Sequence, residues 1–375
     1  MINIFQPELR SEELEAVRRV FESNWIGKGK LTAQFEEGFA RYLSTERAHV
    51  RSTTCCTEAM FQAMSLLGIG PGHEVVLPTI SFVGAANAIA AAGARPVFCD
   101  VDLRTLNPTA QHLEEKTTER TRAYLILHYG GLPCDLDGIV ALARRRGVAL
   151  IEDSACSVAS RYRGKACGTF GDIGTWSFDA MKILVCGDGG MLWAADPARA
   201  QQFEENTYLG LMTKSGASSS AETKWWQFEI SGFGRRAIMN DVSSAIGLEQ
   251  LKKLPRFIAR RRAIHERYSA ELKGLAWLTP PPPLPEGSES SYYFYWVQSE
   301  PSLRDGLSRH LREQGIYTTF RYYPLHLVER YGVHVSLPAA ERAAQSTLCI
   351  PIHHSLRDDE VESVIRAIHG FGRTV

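Results

Sequence analysis

The sequence of 375 residues carries no net charge: Lys plus Arg and Asp plus Glu each number 42. A nucleic-acid binder needs a basic surface to displace counterions, so this balance argues against that class. It also leaves little self-repulsion to oppose self-association. The basic triplets Arg144-Arg145-Arg146 and Arg260-Arg261-Arg262 fall in helical stretches and read as solvated helix faces. No apolar run approaches the ~20 residues that a membrane-spanning helix requires. The segment Met1–Glu8 lacks the basic and apolar regions of a signal peptide, so the expected location is the cytoplasm. Eight cysteines are present, but none has the CxxC or His/Cys spacing of a zinc site. Most sit among apolar or small residues, as reduced buried thiols do. There is no internal repeat, and the only biased tract is the stiff spacer Thr279-Pro280-Pro281-Pro282-Pro283-Leu284-Pro285.

What is present is an alternation of strand and helix patterns. Amphipathic helices are predicted over 11–23, with Leu14, Val17, Val20 and Phe21 on one side, and over 31–42. Strands over 48–50, 74–78, 96–101, 123–128 and 148–151 alternate with helices over 58–67, 85–92 and 136–146. Continuous apolar strands in such an order imply a mostly parallel sheet covered on both faces. Short strands follow within 169–194, then a polar, Ser-rich loop at 213–224. A long helix over 240–273 should break at Pro255. Beyond the proline spacer, strands over 292–297 and 317–320 and helices over 303–314 and 358–369 suggest a small α+β domain. The expected division is a large domain over 1–240 and a linking helix with a small domain over 241–375.

In open parallel sheets, ligands bind beyond the carboxyl ends of the strands. His128, Glu152 and Asp153 lie at such ends. A single lysine, Lys182, stands in Ser177-Phe178-Asp179-Ala180-Met181-Lys182-Ile183-Leu184-Val185-Cys186, followed by Gly187-Asp188-Gly189-Gly190. An amine in an apolar pocket loses solvation, so its pKa should fall and make it nucleophilic near neutral pH. Such a lysine can form a Schiff base with an aldehyde, and pyridoxal phosphate (PLP) also needs a carboxylate on its pyridine nitrogen. Lys182 and Asp153 are candidates for these two partners. The strand at 48–50, the small polar residues Ser52–Thr57 and the helix after them outline a phosphate site, because a helix start offers free N–H groups.

These stretches, with Glu36–Ala40, Gly68–Val75, Pro78–Phe82, Gly93–Val97, Ile151–Ala155, Ala245–Leu251 and Tyr323–His326, make the chain resemble the DegT/DnrJ/EryC1/StrS sugar aminotransferases over nearly its whole length. The resemblance implies PLP fold type I, a large domain with a mostly parallel seven-stranded sheet and a smaller α+β domain. It implies that Lys182 holds PLP as an internal aldimine and moves the proton during turnover, while Asp153 keeps the pyridine nitrogen protonated. By the same resemblance, Phe82 would stack on the ring, Cys56, Thr57 and Ser177 would bind the cofactor or its phosphate, and Cys156 would line the site. His326 would lie near the substrate. The family often places Ser-Gly-Thr where this chain has Cys55-Cys56-Thr57, and Gln where it has Cys156. Where a neighbouring subunit often supplies Asn to the phosphate, Gly234-Arg235-Arg236-Ala237-Ile238-Met239 puts Arg236. The implied activity passes an amine from an amino acid, glutamate foremost, through pyridoxamine phosphate to a keto or aldehyde carbon of a nucleotide-linked sugar, in a homodimer. A PLP sugar dehydratase of the same fold has histidine in place of Lys182, and a non-catalytic member has no use for Lys182 with Asp153.

Overall fold

The computed structural model describes residues 1–212 and 228–373, so the Ser-rich stretch at 213–224 lies outside the described residues. The first half of the chain forms α1 (Ser11–Glu22), α2 (Lys30–Leu43), β1 (Val50–Thr53), α3 (Cys56–Leu66), β2 (Glu74–Pro78), α4 (Val83–Ala91), β3 (Arg95–Cys99) and α5 (Ala110–Glu114). It continues with β4 (Thr121–Leu127), α6 (Leu136–Arg146), β5 (Ala149–Asp153), β6 (Arg161–Tyr162), β7 (Lys165–Ala166), β8 (Ile173–Ser177), β9 (Gly190–Ala194) and α7 (Pro197–Thr207). The remainder forms α8 (Asp241–Leu272), β10 (Leu278–Thr279), β11 (Ser288–Glu289), β12 (Tyr295–Ser299), α9 (Pro301–Glu313), α10 (Pro338–Ser346), β13 (Thr347–Ile350) and α11 (Asp358–Gly372).

The central sheet has seven strands in the order β1-β9-β8-β5-β4-β2-β3. The run from β3 to β8 is parallel, and β9 is antiparallel to both β8 and β1. Side chains alternate across a strand, so a sheet covered on both faces feeds two cores. Along β4, Ala123, Leu125 and Leu127 enter the core that holds Phe35, Phe39 and Trp176, whereas Tyr124 and Ile126 meet α6 residues such as Ile139 and Leu142. The same alternation in β5 sends Ile151 to the first core and Leu150 to the second. Asp153 therefore shares the face of Ile151, and Glu152 shares that of Leu150. The three-stranded sheet β10-β12-β13 packs with α9, α11 and the distal part of α8 around a separate core that includes Ile264, Tyr268, Leu311 and Val364.

Several expectations give way here. Helix α8 runs unbroken through Pro255. The missing N–H costs one hydrogen bond, but Leu254 and Phe257 are buried on either side and hold the helix to the body. In α1 the buried positions are Glu13, Ala16 and Val20, while Leu14 and Phe21 are 73% and 62% exposed. Glu13 turns inward because it pairs with Lys253 and accepts from Gln250 of α8. The stretch 317–320 makes only a single-residue bridge, Thr319 to Cys349, rather than a strand. Arg261 is buried, unlike the solvated face expected of its triplet.

Candidate active site

Strands β4, β5 and β8 end side by side, at Leu127, Asp153 and Ser177. Asp153 is almost wholly buried. Its Oδ1 accepts from the Ala155 N–H at 3.0 Å, and its Oδ2 has no hydrogen-bond partner among the described residues. Burial pushes its carboxyl above the usual range; the Ala155 N–H and the positive charge of Lys182 oppose that shift. A buried carboxylate oxygen without a donor is costly, so the site calls for an N–H at this point. Glu152, on the opposite face, is fully occupied: it accepts from the N–H groups of Gly168, Phe170 and Gly171 and pairs with His128 Nε2 at 3.1 Å. His128 Nδ1 meets the Cys134 N–H, so this histidine is structural rather than part of the site.

Lys182 lies in the loop between β8 and β9, which is closed by the bonds Lys182 N–H to Asp179 O and Cys186 N–H to Phe178 O, at 2.9 and 2.8 Å. Its Nζ stands 4.9 Å from the centre of the Tyr293 ring. Burial alone lowers its pKa, as expected from the sequence, but Tyr293, Cys156 and Asp153 around it outweigh burial and hold the ammonium above its ordinary value. The expectation of a depressed pKa is therefore corrected: with only protein groups around it, Lys182 is a cation facing an acid. Cys56 and Cys156 lie within electrostatic reach of both Lys182 and Asp153, and burial drives both thiols upward, Cys156 to about 11. The site's cysteines are thus neutral at physiological pH.

Helix α3 begins at Cys56, two residues earlier than the pattern suggests, because Cys55 takes the N-cap position and its Sγ accepts from the Glu58 N–H at 3.4 Å. Among the described residues the Cys56 and Thr57 N–H groups have no backbone partner, which leaves them open to an anion at the helix start. Gly190 explains how this start reaches the sheet: a Cβ there would lie 2.4 Å from Cys55 C and 2.5 Å from Cys56 N. Gly190 pairs with Ser177 on one side and Thr53 on the other. Ser177 therefore sits two strands, about 10 Å, from the strand that leads into α3. Thr57 is also beside Phe82, since a Cβ on Gly84 would meet Thr57 Oγ1 at 3.1 Å and Phe82 Cδ1 at 3.3 Å. The Phe82 ring is 45% exposed and touches Tyr322 at 5.7 Å between centroids.

The remaining two candidates have partners of their own in the chain, although Ala237, next to Arg236, accepts from Thr53 Oγ1 and the Thr54 N–H just ahead of α3. His326 is buried, with Nδ1 paired to Thr79 Oγ1 at 2.8 Å and Nε2 to Glu341 Oε1 at 3.3 Å. Both ring nitrogens are occupied, so it ties the end of β2 to α10. The Arg236 guanidinium lies over the Tyr208 ring, with an exposed side chain. Sequence reasoning missed Tyr293, Tyr322 and Arg321. Tyr322 contacts Cys156 Sγ and Phe82, and Arg321 Nη2 reaches Met181 Sδ at 3.9 Å. The only signal for them is the clustering of aromatics in Tyr292–Tyr295 and Tyr322-Tyr323.

Comparison with known proteins gives the family of the whole chain. A sequence profile described as the DegT/DnrJ/EryC1/StrS aminotransferase family matches residues 7–369. A dTDP-4-dehydro-2,3,6-trideoxy-D-glucose 4-aminotransferase of Saccharopolyspora spinosa is 51% identical over 365 residues, covering 97% of this chain and 95% of its own. The spore coat polysaccharide biosynthesis protein SpsC of Bacillus subtilis is 33% identical over 373 residues, 96% of this chain and 95% of its own. Among solved structures, the aminotransferase TlmJ of Streptoalloteichus hindustanus superimposes with a TM-score of 0.96 at 56% identity, covering 100% of this chain and 99% of that one.

Proposed function

The chain belongs to the DegT/DnrJ/EryC1/StrS aminotransferase family, and on that premise we propose that it uses PLP to move an amine from L-glutamate to the C4 keto carbon of a nucleotide-linked sugar. The observation that carries the reading is the buried Oδ2 of Asp153, without a hydrogen-bond partner among the described residues and within electrostatic reach of Lys182. A pyridinium N–H is the donor that such an oxygen lacks. The C4 position and the nucleotide link follow the named activity of the Saccharopolyspora relative.

Bound PLP would supply an aldehyde for the donor amine and an electron-withdrawing ring. Asp153 Oδ2 would hold the proton on the pyridine nitrogen, stabilised by the low-dielectric surroundings. Lys182 Nζ would take the proton from the donor carbon and return one to the acceptor carbon. The free Cys56 and Thr57 N–H groups and Ser177 would bind phosphate, Phe82 would cover one ring face, and Cys156 would line the pocket. Tyr293 and Tyr322 would exclude water.

We also read the enzyme as a cytoplasmic homodimer; no helix among the described residues is long and apolar enough to cross a membrane. Support for the dimer comes from large apolar side chains left open to solvent: Leu14, Phe21, Trp25, Ile26 and a fully exposed Phe233. Phe233 is three residues from Arg236, which would reach the partner's phosphate. The test is optical. Protein loaded with PLP should be yellow, glutamate should bleach it, and a panel of nucleotide-linked keto sugars should restore the colour. Protein that stays colourless with PLP overturns the reading.

A further inference from the structure

Arg261, in the middle of α8, is 1% exposed, yet no carboxylate pairs with it among the described residues. A buried charge without a counter-ion is costly and survives only where hydrogen bonds replace its hydration. Here they come from three backbone carbonyls: Nη1 donates to Tyr292 O at 3.1 Å, Tyr293 O at 3.4 Å and Ile352 O at 2.9 Å. Burial pulls the guanidinium down to about 10, which still leaves it charged at neutral pH.

The place where it grips is unusual. Tyr292 has φ of +50°, a left-handed conformation that a bulky residue adopts only when its surroundings enforce it. The next residue, Tyr293, is the one whose ring faces Lys182 Nζ at 4.9 Å, and its Oη donates to the Met181 carbonyl at 3.3 Å. On the other side of this turn, the N–H groups of Tyr293 and Phe294 both donate to Gly130 O. The turn is thus pinned from one side by the large sheet and from the other by a cation on α8.

We propose that Arg261 is a positioning residue for the reaction: by clamping the strained Tyr292-Tyr293 turn, it fixes the Tyr293 ring against Lys182 and so sets the protonation behaviour of the lysine. The inference rests on the PLP reading above. It needs Arg261 to act through Tyr293, not through direct contact with substrate. Around Lys182 the titratable groups are Tyr293, Cys156, Asp153 and Cys56, and Arg261 is bonded only to the first of these, through its backbone.

The test uses the PLP-loaded full chain and reads the pH at which its visible absorbance band titrates, a property that mere loss of stability does not move. Arg261→Met should shift that midpoint by about one pH unit or more and lower kcat at least tenfold, with the donor KM changed less than threefold. Arg261→Lys keeps the buried charge but not the planar fork, and should give a smaller shift in the same direction. It also serves if the Met variant fails to fold. In a Tyr293→Ala background, Arg261→Lys should produce no further shift, because the two act as one unit. A midpoint unchanged in the Arg261 variants, or shifted equally with and without Tyr293, overturns the proposal. Parent protein that never turns yellow would instead mark failure of the PLP reading itself.

Discussion

Tyr293 stands over Lys182, its ring centre 4.9 Å from Nζ, although the two residues belong to segments far apart in the chain. The lysine loop hangs from the end of β8, and the tyrosine enters from the turn before β12. The pocket therefore exists only once the small sheet has docked on the large one. Phe5 stacks on the far part of the same aromatic group, 5.4 Å from Tyr293. The N-terminal segment thus contributes to the same wall.

Lys182→Ala should abolish the yellow colour and the transamination rate together. Among the described residues the side chain makes no hydrogen bond or ion pair beyond its approach to Tyr293, so the thermal midpoint should change by only a few degrees. Absorbance after incubation with PLP and a coupled rate assay check both halves. A coloured variant, or one that retains most of the parent rate, would refute the assignment.

Asp153→Asn keeps the shape and removes the charge. One charge-assisted bond in a dry site is worth roughly 2–4 kcal/mol of transition-state stabilisation, about a 30- to 1000-fold loss in kcat/KM. The amide also presents an N–H2 where a proton acceptor is wanted. Colour should persist while turnover falls, and a rate within a few-fold of the parent would remove Asp153 from its role.

Much of this was legible in the sequence because it rests on local pattern. The apolar runs of β2, β4 and β5 reveal a sheet buried on both faces, and the position of Asp153 at a strand end follows from the same run. Lys182 stands out as a lone cation followed by glycines. The residues that were not legible owe their places to long-range contacts. Arg261 looks like its neighbours Arg260 and Arg262, and only the docking of Tyr292, Tyr293 and Ile352 onto α8 turns it inward. His326 has its two ring nitrogens bonded to Thr79 and Glu341, a pairing that no local pattern shows. The apolar stripe of α1 is real in sequence, but α8 receives Ala16, Val20 and the charged Glu13 instead of Leu14. Even α7 carried a start signal, Asp196 capping and Pro197 at the first position, that periodicity alone passed over.

Gly190→Ala addresses the cradle. The added methyl would lie 2.4 Å from backbone of Cys55, which no side-chain rotation can relieve. Overpacking of this kind costs about 1–3 kcal/mol, and the relief available is to push α3 away from β9. PLP affinity should weaken at least tenfold while glutamate still bleaches whatever cofactor is bound. Titration with PLP followed by absorbance measures it, and unchanged affinity would detach the start of α3 from phosphate binding.

Arg236→Ala tests the proposed sharing of the site between two copies of the chain. A charged donor to phosphate contributes roughly 1.5–3 kcal/mol, so PLP affinity should drop about ten- to a hundredfold with the dimer retained in sedimentation. The guanidinium now rests on its own chain's Tyr208, and removing it should leave the thermal midpoint nearly unchanged. A variant that binds PLP as tightly as the parent would place Arg236 outside the site.

Acid stability offers a check that needs no cofactor. Burial, reinforced by the charge of Arg261, depresses His353 to about 4 and His354 to about 2 from the ordinary 6.5. Burial also raises these residues' dependence on packing: His354 lies flat against Phe257, 3.8 Å between ring centroids. A depressed histidine takes up its proton in the unfolded chain first, so its stabilisation is complete above pH 6.5 and declines as pH falls toward the folded value. Each histidine should withdraw roughly 3 kcal/mol by pH 4. Glu8 and Glu204 also favour the folded state, but both are lowered from 4.5 to about 2 and so lose their contribution only below pH 4.5. The window between 6.5 and 4.5 therefore isolates the histidines. Burial likewise depresses His265 to about 4, so the thermal midpoint of the parent should fall across that window, and a His353→Gln/His354→Gln variant should show a clearly shallower fall there, the remainder coming from His265, while still losing stability below pH 4.5. If the double variant falls as steeply as the parent between 6.5 and 4.5, the protons that unfold this protein are bound elsewhere.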